Sequence, residues 1–460
     1  MKLLSPRLRW TAELLLVLGV LAAGLLVFFS AKAKIDSDEG NWIGTTAYFE
    51  TFFIRRDFSP EAWPDSYWAR TQPMVFRYVI GSWLWLRGHN LQIQNPNYDY
   101  SKPAAANRRL GLAPADDVLD DARKPARLMA ALGAVTLYLV VRVLVGSVGG
   151  VVGGLAAATS FIGSPYLEEN LIRAKAESTL MFFLLAALLL AILSVRRPRT
   201  TVSSVRWGLA TGFLLGLAFG VKLTVVLALI AVTLWAVGAC LAVWAARAGA
   251  PSWLRRLTAP FAPIQPGAAA PWVWPLVVLA TVSFVFIITN PFLWPSPIAR
   301  SWLLFENRRD EMAQQQLDVP SRAVYGLDRR ATLVWERSVF NDAFSPSRLG
   351  PPLEAILTVA GALWLAARVL VARASGQRRA EMMVLLWLLC LWAGVTAGFG
   401  FLLQHYFVPT ASIAILASGL AIGWAVQAAW NLAASLWQRS PSTPLPGERG
   451  QSGATPLLRA

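Results

Sequence analysis

At 460 residues the chain would make about three soluble domains, but 56% hydrophobic side chains against 15% charged exclude that class and point to a membrane solvent. The charge balance, 42 Lys+Arg against 26 Asp+Glu for a net +16, would raise nucleic acid in a soluble chain. Here the basic residues punctuate apolar runs, so they read as topology signals and anionic-lipid contacts, and no nucleic-acid partner is expected. Cys240 and Cys390 both lie inside apolar runs and suggest no disulfide framework; with His89 and His405 the only histidines, a Cys/His zinc site is excluded.

The first apolar run, Leu14 to Phe29, follows Lys2, Arg7 and Arg9 and precedes Ala31-Lys32-Ala33. It reads either as a span or as a signal peptide cleaved after that tripeptide, and the topology downstream is the same in both cases. Further spans are predicted near Leu128 to Val145, Val148 to Ile162, Thr179 to Val195, Trp207 to Phe219, Leu223 to Ala246, Trp272 to Thr289, Leu353 to Val371, Met382 to Leu402 and Phe407 to Trp430. The expected fold is an all-α polytopic membrane protein of about ten transmembrane helices. Its short inner loops are basic, with Arg142, Arg196, Arg206, Arg247, Arg255 and Arg378 among them, as an inside amino terminus requires.

A membrane-embedded domain is expected over 1–430, followed by a disordered cytoplasmic tail at 438–460, rich in Ser, Pro and Gly. Two extracytoplasmic loops, 31–126 and 290–352, are too long to be mere connectors. Trp42 to Phe53, Pro73 to Leu86 and Ile298 to Met312 mix aromatic residues with charges, which predicts juxtamembrane helices lying at the outer interface. No internal repeat is evident, which counts against inverted-repeat transporters.

The polar residues that hydropathy disfavours fall on one side. Asp38 and Glu39 follow the first span, Arg173 and Glu177 precede the fourth, Lys222 separates the fifth and sixth, Glu306 and Arg308 lie in the second long loop, and His405 lies before the last span. Each has a bland reading. Asp38 and Glu39 fit helix N-terminal acids, Lys222 a snorkelling residue, Arg173 and Glu177 an i, i+4 pair, and Glu306 to Glu311 a wet helix face. Together they read as a site at the outer membrane boundary, where an acid can take a proton from a hydroxyl while cations neutralise a phosphate.

The order of these motifs resembles the type C glycosyltransferase superfamily, in its protein O-mannosyltransferase and lipid A aminoarabinose transferase branch. The resemblance runs through Asp38-Glu39 after the first helix, Thr71-Gln72-Pro73 before an apolar helix, Arg127, the Arg173 to Phe183 segment, Gly212 to Thr224 with Lys222, Asn290-Pro291 with the Glu306/Arg308 loop, and His405-Tyr406-Phe407-Val408-Pro409. It implies Asp38 as general base on the acceptor with Glu39 in support, and Glu177 at a second acidic position where relatives more often have Asp. It further implies that Lys222, Arg308, Arg173 and His405 hold the donor phosphate, with Gln72, Glu306 and Tyr406 in the substrate pocket. Thr71 stands where the aminoarabinose branch has a metal-binding Glu, which argues against that branch's zinc; a divalent cation, Mg or Mn as in other branches, stays open.

The expected activity is inverting transfer of a sugar from a polyprenyl-phosphate donor to a hydroxyl acceptor. The expected location is a plasma (inner) membrane of prokaryotic type, with the site on the extracytoplasmic side and membrane lipids as further partners. A lipid-linked sugar flippase would instead place ionisable groups near the bilayer midplane, and a non-catalytic scaffold would tolerate neutral residues at Asp38 and Lys222.

Overall fold

The computed structural model describes residues 5–64, 66–93, 98–99, 101–197, 200–262, 270–339, 351–371 and 376–439. Among these the chain is all-α, with one isolated β-bridge and no strand. In chain order the principal helices are α1 (Pro6–Ser30), α2 (Ser37–Gly44), α3 (Val75–Leu86), α4 (Asp116–Val145), α5 (Ser147–Gly163), α6 (Pro165–Leu171), α7 (Ala176–Arg196) and α8 (Thr201–Val221). They are followed by α9 (Val226–Arg247), α10 (Val273–Ile288), α11 (Pro297–Asp318), α12 (Leu327–Val339), α13 (Pro351–Val371), α14 (Gly376–Gly398) and α15 (Val408–Arg439).

Among the described residues eight helices are long and apolar enough to cross a membrane, or nine if the bent pair α5–α6 is one span, and α10 is a shorter apolar helix. Each span read from the sequence lies on one of these. The differences are at the ends. Helix α4 begins at Asp116 rather than near Leu128, within the segment 31–126. Hydropathy registers only the lipid-facing part, whereas the first turns of α4 are polar and carry Asp116 and Asp117 at the positive end of the helix dipole. Helix α14 stops at Gly398, and the next residues form an extended strap, because Gly398 and Gly400 interrupt the helix and the strap finds a backbone partner. Val324 N–H donates to the Gly400 carbonyl at 2.9 Å and Leu402 N–H to that of Arg322 at 2.8 Å. The predicted tail lies outside the described residues from 440 onward, as does 340–350 of the second outer segment.

In lipid, helices associate through close packing rather than a hydrophobic drive, and small residues permit it. Gly208, Gly212 and Gly216 repeat every four residues along α8 against α10; a Cβ at Gly216 would sit 2.7 Å from Val285 Cβ. Helix α5 meets α15 backbone to backbone, where a Cβ at Gly153 would lie 2.4 Å from the Gly419 carbonyl oxygen. Helix α1 is tied to α4 by Glu13, which accepts from Tyr138 Oη at 3.0 Å and from Arg142 Nε at 3.0 Å.

Three local breaks turn chain toward one end of the bundle. Ser164 caps α6, accepting from Leu167 N–H at 3.3 Å, with Pro165 at the first position; the resulting 64° bend between α5 and α6 is followed by the irregular turn before α7. Lys222 is extended (φ −156°, ψ 136°) between α8 and the short turn leading to α9. Asn290 ends α10, and its Oδ1 accepts from Met74 N–H at 2.9 Å, joining the two outer segments. Tyr48 stacked on Trp63 at 5.2 Å, and Phe52 against Trp294 at 6.4 Å, extend that junction as an aromatic cluster, as interfacial segments favour.

Candidate functional site

A cleft of about 1240 Å³ opens where these breaks converge. Asp36, Asp38, Asn41 and Trp42 line it from the first outer segment; Arg173, Lys175 and Glu177 from the turn into α7; Lys222 from the α8–α9 break; Arg308, Glu311 and Gln315 from α11; and Gln404 and His405 from the strap.

The Asp36 wall is organised by a capping box. Asp36 Oδ1 accepts from Asp38 N–H at 3.0 Å, and Glu39 Oε2 accepts from Asp36 N–H at 3.0 Å, which satisfies orphan amides of α2. The other Asp36 oxygen takes Arg173 Nη1 at 3.0 Å and Lys175 Nζ at 3.2 Å. Asp38 turns into the cleft, its side chain 39% exposed there, with Lys175 Nζ 3.4 Å from its Oδ2. Enclosure by protein removes much of its hydration and raises its pKa above the ordinary aspartate value. Asp36 and Glu177 push the same way, and Lys175 opposes them.

Opposite these, Glu177 Oε1 accepts from Lys222 Nζ at 2.7 Å, while Glu177 Oε2 is buried with no hydrogen-bond partner. The Lys222 ammonium also lies 5.5 Å from the centre of the Tyr406 ring, a cation–π distance. Arg308 pairs with Glu311 and donates from Nη2 to Tyr406 Oη at 2.5 Å. Glu311 accepts in turn from Tyr67 Oη at 2.6 Å, so the second outer segment is fastened to the first across the cleft. Tyr166 Oη, at the start of α6, donates to the Gln404 carbonyl and fixes the strap that carries His405.

Asp38, Glu177, Lys222, Arg308, Arg173, His405 and Gln72 therefore line one cleft, and Tyr406 joins them through Arg308 and Lys222. Two expected residues do not. Glu39 is wholly buried behind the cleft wall: Arg123 donates Nε to Oε1 at 2.8 Å and Nη2 to Oε2 at 2.6 Å, and Ala174 N–H donates to Oε1 at 2.8 Å. Adjacent residues on a helix point about 100° apart, so Asp38 and Glu39 cannot share a face. Glu306 accepts from Trp302 Nε1 at 2.7 Å at an exposed position; on α11 the cleft face runs through Arg308, Glu311 and Gln315, and Glu306 is on another side.

Lys175 is among the cleft residues that the sequence reading did not name as site residues, with Asp36, Asn41, Glu311 and Gln315. The signal was in Arg173-Ala174-Lys175-Ala176-Glu177, where alternate polar residues in an irregular turn share a face.

Among the described residues no group of three His, Cys, Asp or Glu side chains could hold a metal ion. The carboxylates nearest that role, Asp36 and Asp38, already have Arg173 and Lys175 against their oxygens, a donor set that does not fit a divalent cation.

Residues 109–251 match the family described as dolichyl-phosphate-mannose-protein mannosyltransferase. That match, over less than a third of the chain, agrees with the resemblance read from the sequence. Among solved structures, ArnT from Cupriavidus metallidurans bound to undecaprenyl phosphate is similar at 16% identity and TM-score 0.49, over 92% of this chain and 65% of that one. The Archaeoglobus fulgidus oligosaccharyltransferase in complex with Zn and sulfate is similar at 15% identity and TM-score 0.48, over 91% of this chain and 51% of that one. The chain thus spans about two thirds and one half of these proteins. No curated protein matches it in sequence.

Proposed function

We propose that this protein transfers a sugar from a polyprenyl-phosphate donor to a hydroxyl acceptor, at the extracytoplasmic face of a prokaryotic plasma membrane. The observation that carries the reading is the composition of one cleft at the end of a membrane bundle: a carboxylate, Asp38, open to the interior, together with Lys222, Arg308 and His405. The description of the family matched over 109–251, which names a lipid phosphate as sugar carrier, supports the donor class.

In this mechanism Asp38 accepts the proton of the acceptor hydroxyl as its oxygen attacks the anomeric carbon. The bond from that carbon to the phosphate oxygen breaks, its electron pair passes to the phosphate, and the anomeric configuration inverts in one displacement. Lys222 and Arg308 neutralise the departing phosphate, with Arg173 and His405 lining the same cleft, so no strong general acid is needed. Glu177 holds Lys222 in place. Gln72 and Tyr406 border the sugar.

The test compares wild type with Asp38→Asn, following transfer from a radiolabelled polyprenyl-phosphate sugar pool to native membrane acceptors. Loss of a general base lowers turnover by about 10²- to 10⁴-fold with lipid-phosphate binding retained. Equal turnover in both proteins rejects Asp38 as the base. No turnover in either, with lipid movement across liposomes, favours a flippase.

A further inference from the structure

Lys175 has no part in the mechanism above, yet its ammonium lies between two carboxylates of the cleft wall: Nζ is 3.2 Å from Asp36 Oδ2 and 3.4 Å from Asp38 Oδ2, and the side chain is only 5% exposed. Asp36 is a fixed point in this arrangement, held by Arg173 through one oxygen and by Asp38 N–H through the other. Asp38, by contrast, has Lys175 as its one ion-pair partner among the described residues.

The lysine backbone is fixed as well. The residue is extended (φ −129°, ψ 162°) at the cap of α7, its N–H donates to the Arg173 carbonyl at 2.7 Å, and the preceding amide, Ala174 N–H, is bound by Glu39. The Glu39–Arg123 pair behind the wall thus sets where the Lys175 ammonium can reach.

We infer that Lys175 is a positioning residue for the proposed base: its ammonium orients the Asp38 carboxylate toward the acceptor and favours its ionised form. This rests on the assignment of Asp38 as base. The charged and titratable groups facing Asp38 are Asp36 from its own segment, Lys175 and Glu177 from the start of α7, and Tyr406 from the strap. Burial, Asp36 and Glu177 all favour the protonated acid, and Lys175 is the group that opposes them. Burial also disfavours the Lys175 cation, but Glu177, Asp38 and Asp36 outweigh it and raise the lysine above its ordinary value, so it stays charged across the working range. An opposite charge at this distance lowers a carboxyl pKa by about 1–3 units.

The experiment measures the pH dependence of kcat/KM for sugar transfer in Lys175→Met, Lys175→Arg and Asp36→Asn. The activity needs ionised Asp38, so it falls as pH drops through that group's pKa. Lys175→Met moves the acid limb to higher pH by about one unit or more, with turnover recovering at alkaline pH; Lys175→Arg restores the limb. Asp36→Asn moves it the other way, because a like charge is removed and Lys175 is released to Asp38.

A uniform loss at every pH, or shifts of the same sign in Lys175→Met and Asp36→Asn, overturns the inference and leaves a structural lysine. Infrared titration of the Asp38 carboxyl band, assigned by its absence in Asp38→Asn, reads the same shift without substrate. It therefore tests the pairing even where Asp38→Asn turns over normally and the base assignment has failed.

Discussion

Two buried glutamates at the cleft end of the bundle, Glu39 and Glu177, have opposite degrees of saturation. Glu39 accepts two bonds from Arg123 and one each from Ala174 N–H and Asp36 N–H, which fills both oxygens. Glu177 takes Lys222 on one oxygen and leaves the other buried and unpartnered. Burying a carboxylate is costly, and an unmet acceptor adds to the cost. A saturated pair therefore recovers its cost in the folded chain, whereas an open one retains capacity for a ligand. Depth in the protein does not separate the two; unused hydrogen-bonding capacity does.

The sharpest way to break this contrast is Glu39→Gln. It leaves Arg123 buried without its counter-charge and should cost about 3–5 kcal/mol, read by thermal or denaturant unfolding in detergent. A stability loss under 1 kcal/mol would remove Glu39 from the structural side. Glu177→Gln should act in the other direction. Lys222 faces the cleft and can be hydrated there, so the fold should lose only about 1 kcal/mol, while transfer should drop about a hundredfold through loss of electrostatic organisation. Equal stability losses in the two variants would erase the distinction.

A control away from both sites is Gly153→Ala, where a methyl meets the Gly419 carbonyl of α15. Overpacking of this kind costs about 1–3 kcal/mol, and activity per folded molecule should be unchanged. The smallest effect is expected at Glu306→Gln: stability within about 0.5 kcal/mol of wild type and transfer within about twofold of it. A larger loss of transfer would return Glu306 to the substrate pocket.

Much of the architecture was legible because a membrane imposes a simple code. Each apolar run of bilayer length falls on a helix of the bundle, and Asp38, Glu177, Lys222, Arg308 and His405, separate in sequence, line one cleft. Side-chain direction was not legible. Asp38 and Glu39 are neighbours of like charge, and only the capping geometry of α2 and the position of Arg123 on α4 determine which turns inward. Glu306 and Arg308 differ by two positions on α11, a separation that places them on different faces. Lys175 was passed over because the pattern weighed there was Arg173 with Glu177 as an i, i+4 pair, when the chain at that point is a turn pinned by a distant carboxylate. The polar first turns of α4 and the strap after Gly398 were lost for a related reason, since hydropathy reports solvent and not hydrogen-bond partners.

The single bridge between Ala323 and Phe401 has a mechanical meaning. Its two backbone bonds, with Arg330 Nη1 on the Ala397 carbonyl at 2.9 Å, couple the second outer segment to the strap that presents His405. Any swing of α12 away from the bundle must either rupture those bonds or drag the strap along with it. The segment leading into α12 and the strap that lines the cleft are in that sense a single linkage, and neither can move without displacing the other.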